Sequence, residues 1–371
     1  MGRVQVKTLY FFRSLEAVAV SAKKMYEIAD IILKGQDISG DEALALAQTL
    51  SSQSLGMTLD IMGLSRLTRL LAEGDGKAEP DIKKTSGGQA PFTCGIINAK
   101  SGRCSEDCSF CAQSRHYQTG TVAYSLVEAE TLLERAHFLA AVGADYFGVV
   151  LSGGEPSKRD FEKICETTVD IIRATGLKLC ASLGLLNQEQ ALALRQAGFT
   201  SYHHNLETAP SFYPRICTTH QMEHRVETVK NAKRAGLRVC SGGIFGLGEN
   251  WAQRVEMAEI LRELEVDSIP INFLIPIFGT PLADASVLSP REALLIIALF
   301  RLMHPCRDLV VCGGRGRVLG EWDRLVFSAG ANGIMIGDYL TTKGKTPERD
   351  LEILNELGLR QAKSSGSVAG K

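Results

Sequence analysis

From about residue 90, short runs rich in apolar and β-branched residues alternate with longer segments in which apolar residues recur every three or four positions. The short runs predict strands, and the longer segments predict amphipathic helices. The predicted strands are residues 92–99, 146–152, 178–183, 202–207, 238–245, 269–275, 309–313 and 333–336. The predicted helices between them are residues 126–141, 160–175, 188–197, 221–235, 252–264, 290–303 and 320–329.

This alternation predicts an α/β fold with a parallel sheet. Gly176 and Gly236 follow two of the helical segments directly, where glycine supplies a left-handed helix cap before the next strand begins. Eight strands, each beside a helix, indicate a TIM-type (β/α)8 barrel. A doubly wound open sheet remains the alternative, because the count depends on short runs.

Ahead of the alternation, residues 28–33, 43–50 and 61–71 have the spacing of amphipathic helices. They predict a helical extension before the barrel. We therefore expect three parts: an N-terminal extension and helical cap over residues 1–85, the barrel over 86–345, and a C-terminal helix with a flexible tail over 346–371.

Charge and hydropathy exclude several partners. The net charge is −1, which favours neither nucleic acid nor an anionic membrane surface. No apolar run approaches the roughly eighteen residues of a membrane-spanning helix. The apolar residues 9–12 are too few for a span and are followed by Arg13, so a signal peptide fits poorly. We expect a cytoplasmic protein.

The chain contains ten cysteines. Disulfide frameworks belong to small secreted domains, so clustered cysteines in a reducing compartment indicate metal or redox chemistry. Their spacing is therefore informative.

Cys104, Cys108 and Cys111 follow the first predicted strand with CxxxCxxC spacing, where a barrel places its active-site loops. Three thiolates can hold three irons of a [4Fe–4S] cluster and leave the fourth iron open. S-adenosylmethionine can chelate that iron, and electron transfer then releases a 5′-deoxyadenosyl radical. Structural zinc needs a fourth ligand, and none follows at finger-like spacing, although His116 is near. The spacing predicts a radical S-adenosylmethionine enzyme.

Two glycine-rich turns support this prediction. Gly153 and Gly154 end the second strand and allow close backbone approach, and Glu155 could bind the ammonium of the methionine moiety. Ile244, after the fifth strand, suits an apolar contact with adenine, but a plain βα turn explains it equally well. Phe110 is a further candidate cofactor contact.

Four other cysteines, Cys94, Cys180, Cys240 and Cys312, fall on the first, third, fifth and seventh predicted strands. Alternate strands of an eight-stranded barrel share one interior layer, so four thiols could converge there and hold a second cluster. The alternative is that each is a small apolar filler. We interpret Cys165, Cys217 and Cys306 as structural.

The sequence resembles the biotin synthases over most of residues 25–360. The matching stretches are residues 104–111, 202–208, 212–213, 218–219, 238–249, 270–274, 279–282 and 339–342. The resemblance implies conversion of dethiobiotin to biotin by insertion of sulfur between two unactivated carbons. It also implies that two S-adenosylmethionine molecules are cleaved per product and that an auxiliary cluster inside the barrel supplies the sulfur.

The resemblance also assigns roles to residues. Asn205 and Glu207 would contact the nucleoside, and Arg225 the methionine carboxylate. Asn205 and Asn272 would face the ureido ring, for which an amide both donates and accepts. The substrate carboxylate would meet Thr341 and Thr342. Each residue also has an interpretation without a ligand. Asn205 and Glu207 could cap or rim a strand, and Arg225 could be a solvated helix residue.

The chain departs from the common biotin synthases, which hold a [2Fe–2S] auxiliary cluster with three cysteines and an arginine. Two of those cysteines match Cys180 and Cys240, but the third position is Gly148 and the arginine position is Val310. Cys94 and Cys312 occur instead. We predict a variant whose four cysteines hold an auxiliary cluster, a four-iron cluster or otherwise [2Fe–2S].

The implied partners are dethiobiotin, an electron donor such as flavodoxin or ferredoxin, and a second copy of the chain in a homodimer. The first rival is another radical reaction on this scaffold, such as hydrogenase-cofactor maturation or methylornithine formation. The second rival is a non-catalytic iron–sulfur electron-transfer protein, against which the open coordination site of three cysteines argues.

Overall fold

The computed structural model describes residues 23–50, 55–74, 84–85 and 88–359. Within them, a two-stranded antiparallel ladder, β1 (Lys84–Thr85) and β2 (Gly88–Gln89), precedes a nine-stranded sheet in which all pairings are parallel. The strands of that sheet are β3 (Phe92–Lys100), β4 (Tyr146–Leu151), β5 (Lys178–Ser182), β6 (Ser201–His203), β7 (Arg238–Cys240), β8 (Gly243–Phe245), β9 (Ser268–Phe273), β10 (Asp308–Val311) and β11 (Gly333–Met335).

The sheet closes on itself, which confirms the predicted barrel and excludes the open sheet. Strand β3 pairs with β4 on one side and with β11 on the other, and β10 joins β11 to β9. The predicted strand 238–245 is split into β7 and β8, which both pair with β9. At the break, a Cβ on Gly242 would lie 2.1 Å from the Pro270 carbonyl oxygen, so the chain passes too close to β9 for a regular ladder. The barrel thus has eight strand positions.

The helices lie where periodicity predicts them, with one exception. Their bounds are α1 (residues 23–33), α2 (Gly40–Leu50), α3 (Leu55–Gly74), α4 (Ala129–Ala141), α5 (Lys158–Thr175), α6 (Gln188–Ala197), α7 (Met222–Arg234), α8 (Trp251–Glu263), α9 (Pro290–Met303), α10 (Arg315–Leu319) and α11 (Pro347–Glu356). Gly176 and Gly236 follow α5 and α7 in the predicted left-handed conformation, with φ of 66° and 77°.

The exception is the segment 320–329, for which the prediction of an α-helix is wrong. Helix α10 ends at Leu319, and Gly320–Val326 forms a 3₁₀ helix instead. Asp323 within it accepts from Arg315 at 3.0 Å and from Lys345 at 2.6 Å. These buried ion pairs hold the tighter turn, and sequence periodicity carries no sign of them.

The helices before the barrel pack on its outside. Helix α3 lies against α9, and α2 lies against α8 and α9. Helix α9 is consequently buried along most of its length. No helix among the described residues is long and apolar enough to cross a membrane. The predicted flexible tail lies outside the described residues.

Side chains at the N-terminal ends of the strands form a floor inside the barrel. Phe92 and Tyr146 meet edge to face with ring centroids 5.6 Å apart. Arg238 pairs with Asp308 at 3.0 Å and donates to the Tyr146 hydroxyl at 3.1 Å. The space above this floor extends toward the loops that follow the strands.

Candidate active site

A cavity of about 420 Å³ runs through the barrel from this floor to the loops at the C-terminal ends of the strands. Both predicted groups of cysteines line it. The groups are Cys104, Cys108 and Cys111 in the first loop, and Cys94, Cys180, Cys240 and Cys312 on or beside the strands. All seven are free thiols.

The loop that carries the first three cysteines turns sharply away from β3. Gly102 and Arg103 both adopt positive φ, 73° and 53°, and a Cβ on Gly102 would lie 2.7 Å from the Cβ of Ala123. The loop then folds back on itself, because the Cys104 amide donates to the Gln113 carbonyl and the Cys104 carbonyl accepts from the Arg115 amide. Burial raises the pKa of the Cys104 thiol, and that of Cys111 to about 11.

A second loop, residues 216–220, fastens this cysteine loop from the side. The Asp107 carboxylate accepts from the Thr218 amide at 2.8 Å, and the Ser109 amide donates to the Ile216 carbonyl at 2.8 Å. Glu106 accepts from the Thr219 hydroxyl at 2.6 Å and lies 2.7 Å from Nδ1 of His220. The cysteine loop is therefore held by several hydrogen bonds.

The 216–220 loop also brings Cys217 against Cys108. Both thiols are buried, and their interaction raises the pKa of Cys108 and lowers that of Cys217 to about 4. Sγ of Cys217 lies 3.3 Å from Nδ1 of His220 and 3.5 Å from the Thr219 hydroxyl. Sequence reasoning did not connect Glu106, Cys217 and His220 with the site. The neighbouring threonines 218–219 were part of a recognised stretch, but over a hundred residues separate this loop from the cysteine loop.

The glycines after β4 permit a close approach of backbones. A Cβ on Gly154 would lie 2.6 Å from Oε1 of Glu106, and a Cβ on Gly184 would lie 2.5 Å from the Gly154 carbonyl oxygen. Gly153 and Gly154 line the cavity. Glu155 is exposed and lines a separate surface depression, so the structure does not bring its carboxylate together with the other predicted groups.

A cluster of polar side chains lies beside the cysteine loop. Arg225, on α7, donates to the Asn205 carbonyl at 2.9 Å and to Glu207 at 3.3 Å, and its Nη2 lies 4.0 Å from Sγ of Cys108. Glu207 has a φ of 72°, a strained conformation that is concentrated at functional sites. Burial raises the pKa of Glu207, although the arginine opposes this. Arg225 is 8% exposed, so the interpretation of a solvated helix residue is wrong.

The other predicted contacts also line the cavity. Asn272 is held from both sides, since its amide donates to the Gly243 carbonyl at 3.1 Å and its Oδ1 accepts from the Gly313 amide at 2.9 Å. Each half of the amide keeps capacity for a ligand. The remaining cavity-lining candidates are Phe110, Ile244, the exposed Thr341 and the half-buried Thr342.

The second group of cysteines lies deeper. Cys94, Cys180 and Cys240 are on β3, β5 and β7, and Cys312 directly follows β10. Burial raises the pKa of Cys180 to about 11 and that of Cys312 to about 12. Burial and then the charges of Cys180 and Cys312 raise the pKa of Cys94 and of Cys240. Four thiols that line one cavity, two of them buried and Cys94 and Cys240 half-buried, fit an iron–sulfur cluster, which removes their protons.

The positions where this chain departs from the common pattern face the same space. Gly148 and Val310 line the cavity. A Cβ on Gly148 would lie 2.9 Å from Cγ2 of Ile96, so no cysteine enters there without movement of Ile96. Nδ1 of His203 lies 3.5 Å from Sγ of Cys240. Sequence reasoning did not identify His203 as part of the site.

Two family models match the chain. The radical SAM superfamily matches residues 99–261, and the biotin and thiamin synthesis associated domain matches residues 270–360. A biotin synthase of Nitratidesulfovibrio vulgaris strain DP4 is 49% identical over 325 residues, which cover 88% of this chain and 85% of that protein. A biotin synthase of Geobacter sulfurreducens is 54% identical over 274 residues, which cover 74% of this chain and 83% of that protein.

Solved structures share the fold at lower identity. A methylornithine synthase superposes with a TM-score of 0.75 at 20% identity, covering 91% of this chain and 97% of its own. A maturase of the iron–iron hydrogenase from Carboxydothermus hydrogenoformans gives 0.71 at 15% identity, covering 96% and 84%. At these identities the likeness shows the barrel fold and does not favour either rival activity.

Proposed function

This chain belongs to the biotin synthase family of the radical S-adenosylmethionine enzymes, and we propose that it converts dethiobiotin to biotin with sulfur drawn from a cluster bound inside its barrel. The observation that carries the proposal is a single cavity lined by two separate sets of thiols. A site for making a radical and a site for supplying sulfur thus open onto one enclosed space.

Cys104, Cys108 and Cys111 would hold the [4Fe–4S] cluster that radical chemistry requires. When bound, that cluster supplies the electron that cleaves S-adenosylmethionine to methionine and a 5′-deoxyadenosyl radical. Three ligands from one short loop leave one iron for the methionine moiety. The neighbouring loop 216–220 keeps the three thiols in place.

Polar groups around the loop would bind S-adenosylmethionine. Nη2 of Arg225 is the guanidinium nitrogen beside Cys108 and suits the methionine carboxylate. The backbone of Gly153 and Gly154 offers polar groups without side chains in the way. The nucleoside would contact Phe110, Asn205, Glu207 and Ile244, which line the same end of the cavity.

Dethiobiotin would lie between the two sets of thiols. Asn205 and Asn272 carry amides fixed by the backbone and match the donors and acceptors of a ureido ring. Thr341 is exposed and Thr342 is half-buried, and both line the cavity, so a carboxylate bound there would stay near solvent. The enclosing barrel excludes water from the reacting carbon, and positioning is its main contribution.

The auxiliary cluster would be held by Cys94, Cys180, Cys240 and Cys312, without an arginine ligand. Four thiolates suit a four-iron cluster, with [2Fe–2S] as the alternative. Val310 supports this assignment, because its apolar side chain packs with Phe92 and Cys312 at the floor and offers no donor to iron.

The test is iron counting after anaerobic reconstitution, coupled to turnover. Cys312→Ala should lose the auxiliary iron by Mössbauer spectroscopy and lose biotin formation, but still make 5′-deoxyadenosine. Cys165→Ala, on the outer helix α5, is the control and should retain both. Unchanged iron in Cys312→Ala would contradict the ligand assignment, and no biotin from the wild type would contradict the activity.

Further parts of the proposal concern partners and organisation. The electron would come from a flavodoxin or ferredoxin, the chain would form a homodimer, and the protein would act in the cytoplasm. The division into an extension to residue 85, a barrel to residue 345 and a C-terminal part also belongs to the proposal.

A further inference from the structure

One side chain near the mouth of the barrel joins two loops of the candidate site. Cys94, Ile96 and Asn98 share one face of β3, because successive side chains of a strand point to opposite sides. Cys94 and Ile96 line the cavity, so Asn98 continues that face toward the mouth. Its amide nitrogen donates to the Leu340 carbonyl at 3.0 Å and to Oε1 of Gln113 at 3.4 Å. Asn98 therefore bridges the segment after β11 and the cysteine loop.

Backbone groups at both ends fix the direction of these hydrogen bonds. The Leu340 carbonyl can only accept, so the nitrogen of the Asn98 amide must face it. The Gly102 amide can only donate, and it donates to Oε1 of Gln113 at 3.2 Å. Gln113 therefore presents its oxygen to Asn98. The two hydrogens on the Asn98 nitrogen thus have separate acceptors, one in each loop.

The Leu340 end of this bridge holds the segment that carries the two cavity-lining threonines. The Tyr339 amide donates to the Thr342 carbonyl at 2.9 Å, which closes the segment into a turn, and Asn98 binds the Leu340 carbonyl within that turn. Strand β3, which supplies Asn98, is nine residues long and is paired with a strand on each side. The bond from Asn98 therefore ties an exposed turn to a rigid part of the barrel.

We infer that Asn98 is a positioning residue that holds Thr341 and Thr342 at a fixed place relative to the cysteine loop. In that place the two threonines would meet the carboxylate of dethiobiotin while its ureido ring lies between the two sets of thiols. Asn98 is not among the described residues that line the cavity, so it acts through the turn and not by touching the substrate. The inference rests on the proposed function and adds a residue that binds neither iron nor substrate.

The test compares dethiobiotin with an analogue whose side chain ends in a methyl group in place of the carboxylate. Asn98→Ala should raise the KM for dethiobiotin by about threefold to tenfold, the range expected for one lost hydrogen bond. The inhibition constant of the analogue should stay at the wild-type value, because the analogue has no carboxylate to place. The KM for S-adenosylmethionine should also stay unchanged, since the Gly102 amide keeps its bond to Gln113.

Two further variants separate positioning from damage to the fold. Asn98→Asp has nearly the same shape, but an ionised carboxylate cannot donate to the Leu340 carbonyl. Its KM for dethiobiotin should rise at least as much as that of Asn98→Ala. Asn355→Ala, at an exposed position on α11, is the matched control and should keep the wild-type KM.

An unchanged KM for dethiobiotin in Asn98→Ala would overturn the inference, and so would an equal rise in the inhibition constant of the analogue. Loss of the loop cluster from both Asn98 variants would also overturn it, because Asn98 would then support the barrel as a whole. A wild type that forms no biotin would contradict the proposed function instead, so the two failures are distinguishable.

Discussion

The two thiol sites differ in how the chain assembles them. The loop site takes its three thiols from eight consecutive residues, 104–111, and backbone hydrogen bonds within the loop already bring them together. The barrel site takes one thiol each from β3, β5 and β7 and one from just after β10, so it exists only once the sheet has closed. The loop site is therefore defined by one loop and its neighbour near the mouth of the cavity, whereas the spacing of the strand-borne site is set by the closed barrel. That difference suits a cluster that binds S-adenosylmethionine and one that supplies an atom to a held substrate.

Cys108→Ala should have the largest effect, because it removes a proposed ligand of the loop cluster. Formation of 5′-deoxyadenosine and of biotin should fall to background, while the auxiliary iron remains visible by Mössbauer spectroscopy. Cys306→Ala, outside the cavity lining, is the control. If the auxiliary iron disappeared together with the loop cluster, the two sites would not be independent. The distinction between a locally assembled site and a strand-borne site would then be wrong.

Arg225→Met should have the next largest effect. It leaves the buried Glu207 carboxylate without its ion-pair partner, and breaking a buried pair costs about 3–5 kcal/mol. Methionine also offers no hydrogen bond to the methionine carboxylate of the cofactor, and a hydrogen bond to a charged group is worth about 1.5–3 kcal/mol. We therefore expect the KM for S-adenosylmethionine to rise by about tenfold or more, with little change in auxiliary iron. Arg234→Met, at the exposed end of the same helix, should leave that KM unchanged. Equal effects of both substitutions would indicate helix damage.

Asn272→Ala tests the space between the two sites. The Gly313 amide would lose its acceptor and the Gly243 carbonyl its donor, at about 1–3 kcal/mol. The KM for dethiobiotin should rise by about tenfold or more, while cleavage of S-adenosylmethionine persists. Asn250→Ala, which removes an N-cap of α8, should lower stability by about 1 kcal/mol without changing that KM. An unchanged KM in Asn272→Ala would remove Asn272 from the substrate site.

The smallest predicted effect concerns His304, a buried residue that directly follows helix α9. Burial lowers the pKa of His304 from 6.5 to about 3. As pH falls below 6.5, the unfolded state gains a proton that the folded state refuses, so stability falls by about 1.4 kcal/mol per pH unit until pH 3. Denaturant titrations at pH 6.5 and 5.5 should show a shallower loss in His304→Gln. His137→Gln, at an exposed position, is the control and should lose as much stability between these pH values as the wild type. An equal loss in His304→Gln would contradict the lowered pKa of His304.

Sequence patterns reveal the loop site and the barrel more readily than the contacts between them. The spacing of residues 104–111 is local, and the odd-strand positions of Cys94, Cys180 and Cys240 follow from counting strands. Cys217 looked structural because its partner Cys108 is distant in sequence, and only the folded chain brings the two thiols together. For the same reason, the break at Gly242 and the ion pairs of Asp323 left no periodic signal. Long-range contacts of single side chains are what sequence reasoning missed.

The most direct measurement follows the sulfur itself. The wild-type protein would be reconstituted with iron and with sulfide labelled with a heavy sulfur isotope, freed of excess sulfide, and given dethiobiotin and unlabelled S-adenosylmethionine for one turnover. Mass spectrometry should find the heavy isotope in the biotin, and Cys312→Ala treated in the same way should make none. Biotin that carries only light sulfur, or labelled biotin from Cys312→Ala at the wild-type level, would contradict a sulfur-supplying cluster on the four barrel thiols.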